Sequence, residues 1–166
     1  MKLRNYMPSD APIIVSWIID EEELYRWSAD IYGKYPLAGE DVDANYQNAL
    51  KSGRFIPLTA EDEDGRIVGH FIIRYPKPDD DSSVRFGFVI VDPSIRGKGL
   101  GHEMLRQGIQ YVKDNLSAGR IDLGVFDNNP KARRCYEAAG FKSFGDGHVC
   151  DTPFGQWHCT DMEIFI

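Results

Sequence analysis

The chain has 166 residues with a formal net charge of −7, and 42% of its residues are hydrophobic. This size and composition exclude a disordered chain and predict one domain over residues 1–166. The acidic balance, which is ordinary for a soluble domain, argues against nucleic-acid binding and mildly favours a cationic partner. No apolar run approaches the roughly 20 residues that span a bilayer, and the N-terminus lacks a signal peptide. We therefore expect a cytoplasmic protein that does not bind membranes.

The first half of the chain predicts a strand, helices and a hairpin. Residues 2–6 form the first strand, and residues 8–33 are helical with a break near Asp20. Ser9 or Asp10 could cap this region, and Pro12 suits a first turn. Residues 41–53 predict another helix. Residues 54–76 predict a hairpin, because two apolar runs flank the turn pair Asp64-Gly65.

The second half predicts strands alternating with two helices. Residues 84–93 form a strand that Pro93 ends. The helix that follows the glycine stretch carries apolar residues at helical spacing: Leu105, Ile109, Val112 and Leu116. Residues 120–126 predict a strand, and residues 129–140 a helix that Asn129 caps. Residues 141–146 and 155–166 are the last two strands, so the order indicates one α/β or α+β domain with a mixed sheet.

The segment SIRGKGLGHEML, residues 94–105, places glycines and cations where a strand passes into a helix. Glycine lets a ligand approach the backbone, and the first amides of a helix have no internal partners. The segment therefore predicts an anion site, although a simple loop into a helix would also account for it. The dinucleotide pattern fails because its third glycine would fall at His102. The P-loop pattern fails because Gly99 follows Lys98.

Two motifs resemble those of the GCN5-related N-acetyltransferases (GNAT). VIVDPSIRGKGLGHEML is similar to that family's acyl-CoA signature, and NPKARRCYEAAGF resembles its helix pattern of Asn, Ala, Tyr and Gly-Phe, from Asn129 to Phe141. The close match covers about residues 84–141. The resemblance implies a mixed, mostly antiparallel central sheet flanked by helices. It also implies an acetyl-CoA-dependent N-acetyltransferase that acts on a primary amine by direct transfer. A non-catalytic acyl-CoA sensor on the same fold is the alternative, and an unrelated phosphate-binding α/β protein is a third reading.

The resemblance also implies where coenzyme A binds. Its pyrophosphate would lie on the backbone amides of Arg96, Gly97, Lys98, Gly99, Leu100, Gly101 and His102. Its pantetheine arm would pair with Val89, Ile90 and Val91, where a backbone N–H can polarise the thioester carbonyl. Asn129 would contact the pantetheine arm, cap its helix, or do both.

The resemblance assigns Tyr136 as the proton donor to the departing thiolate, a role that suits a phenol. Spacing alone also fits a core aromatic, because Tyr136 shares a helical stripe with Ala132, Cys135 and Ala139. The general base is unassigned, because several relatives have a glutamate on the strand before the glycine loop, whereas here Arg85 is the only charged residue of that strand. Its candidates are Glu21, Glu22, Glu23, His70 and Asp127, although a lone histidine among apolar residues more often has a structural role. An amine deprotonated through solvent is the remaining alternative.

The acceptor side combines carboxylates with aromatic rings in residues 17–35, which suits a cationic amine. A polyamine, an aminosugar, or a peptide N-terminus or lysine all fit, and so does a solvated amphipathic helix. The aromatic residues are Trp17, Tyr25, Trp27, Tyr32 and Tyr35. Trp157 and His158 line the same cleft or simply complete the last strand. Three cysteines and four scattered histidines predict no metal site, and edge strands of a mixed sheet make a homodimer a further expectation.

Overall fold

The computed structural model describes all 166 residues. Its helices are α1 (Ala11–Ser16), α2 (Glu21–Ser28), α3 (Gly39–Leu50), α4 (Leu100–Asn115) and α5 (Pro130–Ala138). Its strands are β1 (Lys2–Asn5), β2 (Phe55–Glu61), β3 (Ile67–Arg74), β4 (Ser83–Val91), β5 (Arg120–Phe126), β6 (Lys142–Ser143), β7 (His148–Thr152) and β8 (Gly155–Phe165). None of the helices has the length and apolarity needed to cross a membrane.

The strands form one mixed sheet in the order β1-β2-β3-β4-β5-β8-β6, and β7 pairs with the N-terminal part of β8. Every pair is antiparallel except β4 and β5, which run parallel. The parallel pair is short, because its register extends only from Ser83 opposite Arg120 to Arg85 opposite Asp122. The prediction of a mostly antiparallel mixed sheet is confirmed, and its single parallel pair is where the functional site forms.

Helices cover both faces of the sheet, and each face has its own apolar core. Along β3, Phe71 and Ile73 belong to the core beneath α4 and α5, whereas Ile72 belongs to the core beneath α1 and α3. This alternation follows from the pleat, which sends successive side chains to opposite faces. The second core also holds Trp27, so α2 packs onto the sheet through the same apolar layer.

The predicted break at Asp20 divides the first helical region into α1 and α2. The Asp20 carboxylate accepts a hydrogen bond from the Glu23 backbone N–H at 2.6 Å, which caps the start of α2. An N-cap carboxylate satisfies an amide that the helix cannot pair internally. The cap therefore starts a separate helix, which lies over β4.

The C-terminal region has three strands where the sequence predicted two. The additional strand, β7, forms a hairpin with β8 through pairs such as Cys150 opposite Trp157. Val149 in this strand is 59% exposed, so β7 buries little apolar surface and shows no clear hydrophobic alternation. Pairing with β8 determines the position of β7. Such a contact between strands depends on context, so the local sequence of β7 gives only a weak strand signal.

Candidate active site

A cleft of about 780 Å³ opens where β4 and β5 stop pairing. Beyond Arg85 the two strands separate, so the β4 edge from Phe86 to Val91 has no partner strand on the β5 side. Backbone groups along such an edge are available to a ligand that can hydrogen-bond like a strand. The start of α4, the helix α2 and the helix α5 all contribute residues to the lining of this cleft.

β4 carries a bulge beside the cleft. His70 lies opposite Ile90 while Ile72 lies opposite Gly87, so one extra residue is accommodated on β4. Phe88 sits in this bulge with φ of 51°, a left-handed conformation that is rare for an aromatic residue. A bulge bends its strand and leaves backbone groups without partners in the sheet. Here the bulge lies on the wall of the cleft.

The glycine loop between β4 and α4 forms the anion-binding end of the cleft. Gly99 is the N-cap of α4 with φ of 79°, and the first helical hydrogen bond runs from the Glu103 N–H to the Gly99 carbonyl at 3.0 Å. The amides of Leu100, Gly101 and His102 therefore precede the first helical bond and have no helical partner. All three residues line the cleft, so this helix start presents free N–H groups to it.

Arg96 adds positive charge to this end and ties three elements together. Its Nε donates to the Val91 carbonyl at 3.1 Å, and both of its terminal nitrogens lie 3.2 Å from one Glu23 carboxylate oxygen. The other Glu23 oxygen accepts from the Ile19 N–H at 3.2 Å. This ion pair links the start of α2 to the glycine loop across the cleft mouth.

Tyr136 projects from α5 into the cleft and is only 7% exposed. Burial raises the pKa of the phenol well above its ordinary value, and no hydrogen bond to a protein group contributes to the shift. A phenol in this state keeps its proton at neutral pH until a strongly basic group forms beside it. The position and the protonation state therefore suit a proton donor.

Asn129 has one confirmed role, because its side-chain oxygen accepts from the Ala132 N–H at 3.2 Å and caps α5. It also lines the cleft, as does every residue of the predicted cofactor set except Lys98, which is exposed on the outside of the loop. The sequence did not single out several other residues of the lining, among them Lys131, Arg134 and Phe126. Lys131 and Arg134 are three residues apart on α5, and that spacing was the available signal for a second cationic group.

Only one of the five base candidates, Glu23, lines the cleft, and its carboxylate is held by Arg96. Glu22 pairs with Arg26, and Asp127 accepts from Thr160 and contacts His158 outside the cleft. His70 is completely buried between β3 and α3, where its Nε2 lies 2.7 Å from the Tyr46 hydroxyl. The lining holds one imidazole, His102 at the start of α4, and no carboxylate other than that of Glu23.

The buried imidazole of His70 predicts a pH-dependent stability. Burial lowers the pKa of His70 to about 3 from an ordinary 6.5, so the folded chain binds fewer protons there than the unfolded chain. The stabilisation is complete above the unfolded pKa and is lost as the pH falls towards the folded pKa. We expect His70 to make the unfolding free energy fall by up to about 1.4 kcal/mol per pH unit in this interval.

Urea unfolding between these two pH values checks this expectation. His70→Gln keeps an acceptor for the Tyr46 hydroxyl but cannot titrate, so its stability should vary much less with pH. Its turnover should stay within a few-fold of the parent, because His70 does not line the cleft. Equal pH dependence in both proteins would show that another group is responsible.

The aromatic residues of the acceptor side separate into two groups. Trp27 lines the cleft and packs on Phe88, with ring centroids 5.0 Å apart. Trp157 lies outside the lining and packs on Tyr25 and Phe126, while Trp17 is buried in the core. His158 is also outside it, because its ring hydrogen-bonds to Asp127. Trp27 is thus the residue of this set that lines the cleft, and Tyr32 also packs on the bulge residue Phe88, with ring centroids 6.0 Å apart.

The fold and the cleft define an α/β protein with a split parallel strand pair, a β4 bulge and an anion-binding helix start. The profile of the acetyltransferase (GNAT) family matches residues 21–141. This match covers most of the chain and includes both motifs. The chain belongs to the GNAT family.

The similar proteins are named as acetyltransferases of different substrates. Mycothiol acetyltransferase of Rhodococcus jostii (strain RHA1) is 26% identical over 147 residues, covering 83% of this chain and 48% of that protein. Spermine/spermidine N(1)-acetyltransferase of Bacillus subtilis (strain 168) is 33% identical over 87 residues, covering 50% of this chain and 57% of that protein. The chain thus spans about half the length of the curated relatives that it matches.

The crystal structure of spermidine N-acetyltransferase from Vibrio cholerae, in complex with CoA and spermine, has the same fold. It superposes with a TM-score of 0.79 and 20% sequence identity, covering 99% of this chain and 94% of that one. At this identity the likeness bears on the fold alone. The activity and the acceptor of this chain must be argued from its own residues.

Proposed function

We propose that the chain is an acetyl-CoA-dependent N-acetyltransferase that transfers the acetyl group directly to a primary amine of a small molecule. One observation carries the proposal: the free amides of the α4 start, the unpaired β4 edge and the unpartnered Tyr136 hydroxyl all line one cleft. Each of the three matches a different part of an acyl-CoA thioester. Membership of the GNAT family supports the same activity.

The cleft fits coenzyme A along its length. The amides from Arg96 to His102 would hold the pyrophosphate, because a helix start with free N–H groups favours anions. The β4 residues Val89, Ile90 and Val91 would pair with the amides of the pantetheine arm, and the Asn129 side chain would contact the same arm. Acetyl-CoA supplies an activated acetyl thioester when bound. No metal is required for this chemistry, and no cluster of three or more metal-ligating side chains occurs in the structure.

In the proposed transfer, the amine nitrogen bonds to the acetyl carbon and the carbon–sulfur bond breaks. A backbone N–H at the β4 bulge would polarise the thioester carbonyl. Tyr136 would give its hydroxyl proton to the departing thiolate and regain one from solvent. The proton that the amine nitrogen loses would pass to water, because the one carboxylate of the lining, Glu23, is paired with Arg96, and its one imidazole, His102, lies at the proposed pyrophosphate end.

This proton route predicts how the rate depends on pH. An alkyl ammonium has a pKa of about 10.4, so the reactive free amine increases about tenfold per pH unit below that value. We expect kcat/KM for an alkylamine to rise with this slope from about pH 7 to about pH 9. Initial rates of thiol release at saturating acetyl-CoA, measured over this pH range, give the dependence of kcat/KM on pH. A plateau that begins near neutral pH would instead indicate a protein base.

The test of the function is thiol release from acetyl-CoA across a panel of primary amines, with coenzyme A binding measured in parallel by calorimetry. Release that depends on an amine, with the acetylated amine found by mass spectrometry, is the expected result. Coenzyme A binding without release by any amine would favour the non-catalytic acyl-CoA sensor. Tighter binding of ATP or NAD than of coenzyme A would contradict both.

Three further expectations stay predictions: one domain over residues 1–166, a cytoplasmic location and a homodimer. Light scattering coupled to size-exclusion chromatography measures the oligomeric state directly. A mass of 18.8 kDa would indicate a monomer and twice that mass a dimer.

A further inference from the structure

Two cations on α5, Lys131 and Arg134, line the cleft and have no part in the chemistry proposed above. Both side chains are exposed, and neither forms an ion pair or a hydrogen bond within the protein. Most arginines of this chain are paired with carboxylates, as Arg85 is with Asp122. Unpaired cations in a cleft raise the local concentration of anionic ligands, so these two side chains are available to such a ligand.

The acidic residues around α5 are occupied by a different cation. Asp127 and Glu137 are the carboxylates nearest in sequence to the two free cations, and both contact Arg133. The Arg133 Nε lies 3.2 Å from a Glu137 carboxylate oxygen, and its Nη1 lies 3.7 Å from an Asp127 oxygen. Arg133 is outside the cleft lining. Ion pairing on α5 therefore neutralises Arg133 and leaves Lys131 and Arg134 uncompensated in the cleft.

The two free cations lie beside the free amides of the glycine loop. A Cβ added to Gly101, in the first turn of α4, would lie 3.1 Å from the Cys135 sulfur, so α5 touches the start of α4 at Cys135. Arg134 precedes Cys135 directly, and Lys131 lies one helical turn before Cys135. All four residues line the cleft. Its anion-binding end thus has two sets of donors, backbone amides on α4 and cationic side chains on α5.

Coenzyme A has a second phosphate besides its pyrophosphate, the 3′-phosphate of its ribose. Because the same nucleotide carries both groups, a pyrophosphate on the glycine loop places the 3′-phosphate near that loop. A phosphate monoester has a charge of about −1.5 to −2 at neutral pH. No free carboxylate of the lining opposes it, since the one such group, Glu23, is paired with Arg96.

We infer that Lys131 and Arg134 bind the 3′-phosphate of coenzyme A. Both side chains would donate charge-assisted hydrogen bonds to its oxygens, and their exposure suits a charged group that stays in contact with water. The cleft would then select coenzyme A thioesters over donors without a 3′-phosphate, such as dephospho-coenzyme A and phosphopantetheine thioesters. This inference rests on the proposed use of acetyl-CoA as the donor.

Calorimetric titration with coenzyme A and with dephospho-coenzyme A, which lacks only the 3′-phosphate, tests the inference. We expect the parent to bind coenzyme A about 10-fold more tightly. The double variant Lys131→Ala/Arg134→Ala should bind coenzyme A about 10-fold more weakly and dephospho-coenzyme A within about two-fold of the parent. Salt screens exposed charges, so the preference of the parent should shrink between about 0.05 M and about 0.5 M NaCl.

Steady-state rates of thiol release give a second measurement. With acetyl-dephospho-coenzyme A as the donor, we expect the parent to show an unchanged kcat and a KM about 10-fold higher than with acetyl-CoA. The 3′-phosphate is remote from the thioester, so its loss should weaken binding without slowing the transfer. In the double variant the two donors should have nearly equal KM values.

Lys113→Ala/Lys142→Ala is the matched control, because it removes the same charge from two exposed lysines outside the cleft lining. It should keep the preference for coenzyme A. Equal affinity of the parent for both ligands would overturn the inference. So would equal losses of both ligands in the Lys131 and Arg134 variant, or a loss of preference in the control. These results would leave the transferase function intact, whereas failure of both ligands to bind would overturn the function and the inference together.

Discussion

Replacing Tyr136 by phenylalanine should lower kcat by at least about 100-fold while leaving the KM for acetyl-CoA nearly unchanged. No hydrogen bond to a protein group contributes to the pKa shift of this hydroxyl, so its removal should change the stability of the fold little. The thiolate would then leave without a proton, and a positioned general acid typically contributes about two to four orders of magnitude in rate. Because burial raises the pKa of Tyr136, this effect should be constant across the neutral pH range.

Steady-state assays of thiol release on the parent and the variant measure this expectation, with thermal unfolding as a check of the fold. Tyr111→Phe is the matched control, because Tyr111 lies on α4 outside the cleft lining. It should leave both kcat and KM unchanged. If Tyr136→Phe keeps full turnover, the residue is a core aromatic and another group protonates the thiolate.

Replacing Gly99 by alanine should weaken coenzyme A binding by about 10-fold or more. Gly99 has φ of 79°, a conformation in which a Cβ costs about 1–2 kcal/mol. The glycine loop now directs the amides of Leu100 to His102 towards the proposed pyrophosphate. A shift of this loop would relieve the strain and would move those amides out of position. A helix start binds anions through those amides, so their displacement reduces affinity directly.

The control for this variant is unusually well matched. Gly65, in the turn between β2 and β3, also has φ of 79°, and a Cβ at either glycine would have no atom within 4 Å. Gly65→Ala should therefore lose similar stability yet bind coenzyme A normally, because it lies outside the cleft. Calorimetric titration with coenzyme A separates the two. Equal affinities would show that the glycine loop does not carry the pyrophosphate.

Local signals in the sequence were sufficient to predict where the helices and strands near the site begin and end. Asn129 caps α5, Asp20 separates α1 from α2, and Pro93 follows the end of β4, as predicted. Each of these features depends on hydrogen bonds or dihedral angles within about four residues, which is why one sequence suffices to predict them. The two motifs likewise predicted the glycine loop and Tyr136, and the structure places both in one cleft.

The tertiary structure decided what those local signals could not. The pairing of β4 with β5 is a long-range contact that ends at Arg85, and the cleft opens where this pairing ends. Tertiary packing also buries His70 beneath α3 and brings Glu23 to Arg96 across 73 positions of sequence. It also packs Trp27 on Phe88, with ring centroids 5.0 Å apart. Caps, turns and helix starts are local interactions, whereas strand separation, the burial of His70 and the packing of Trp27 on Phe88 depend on contacts between segments far apart in the chain.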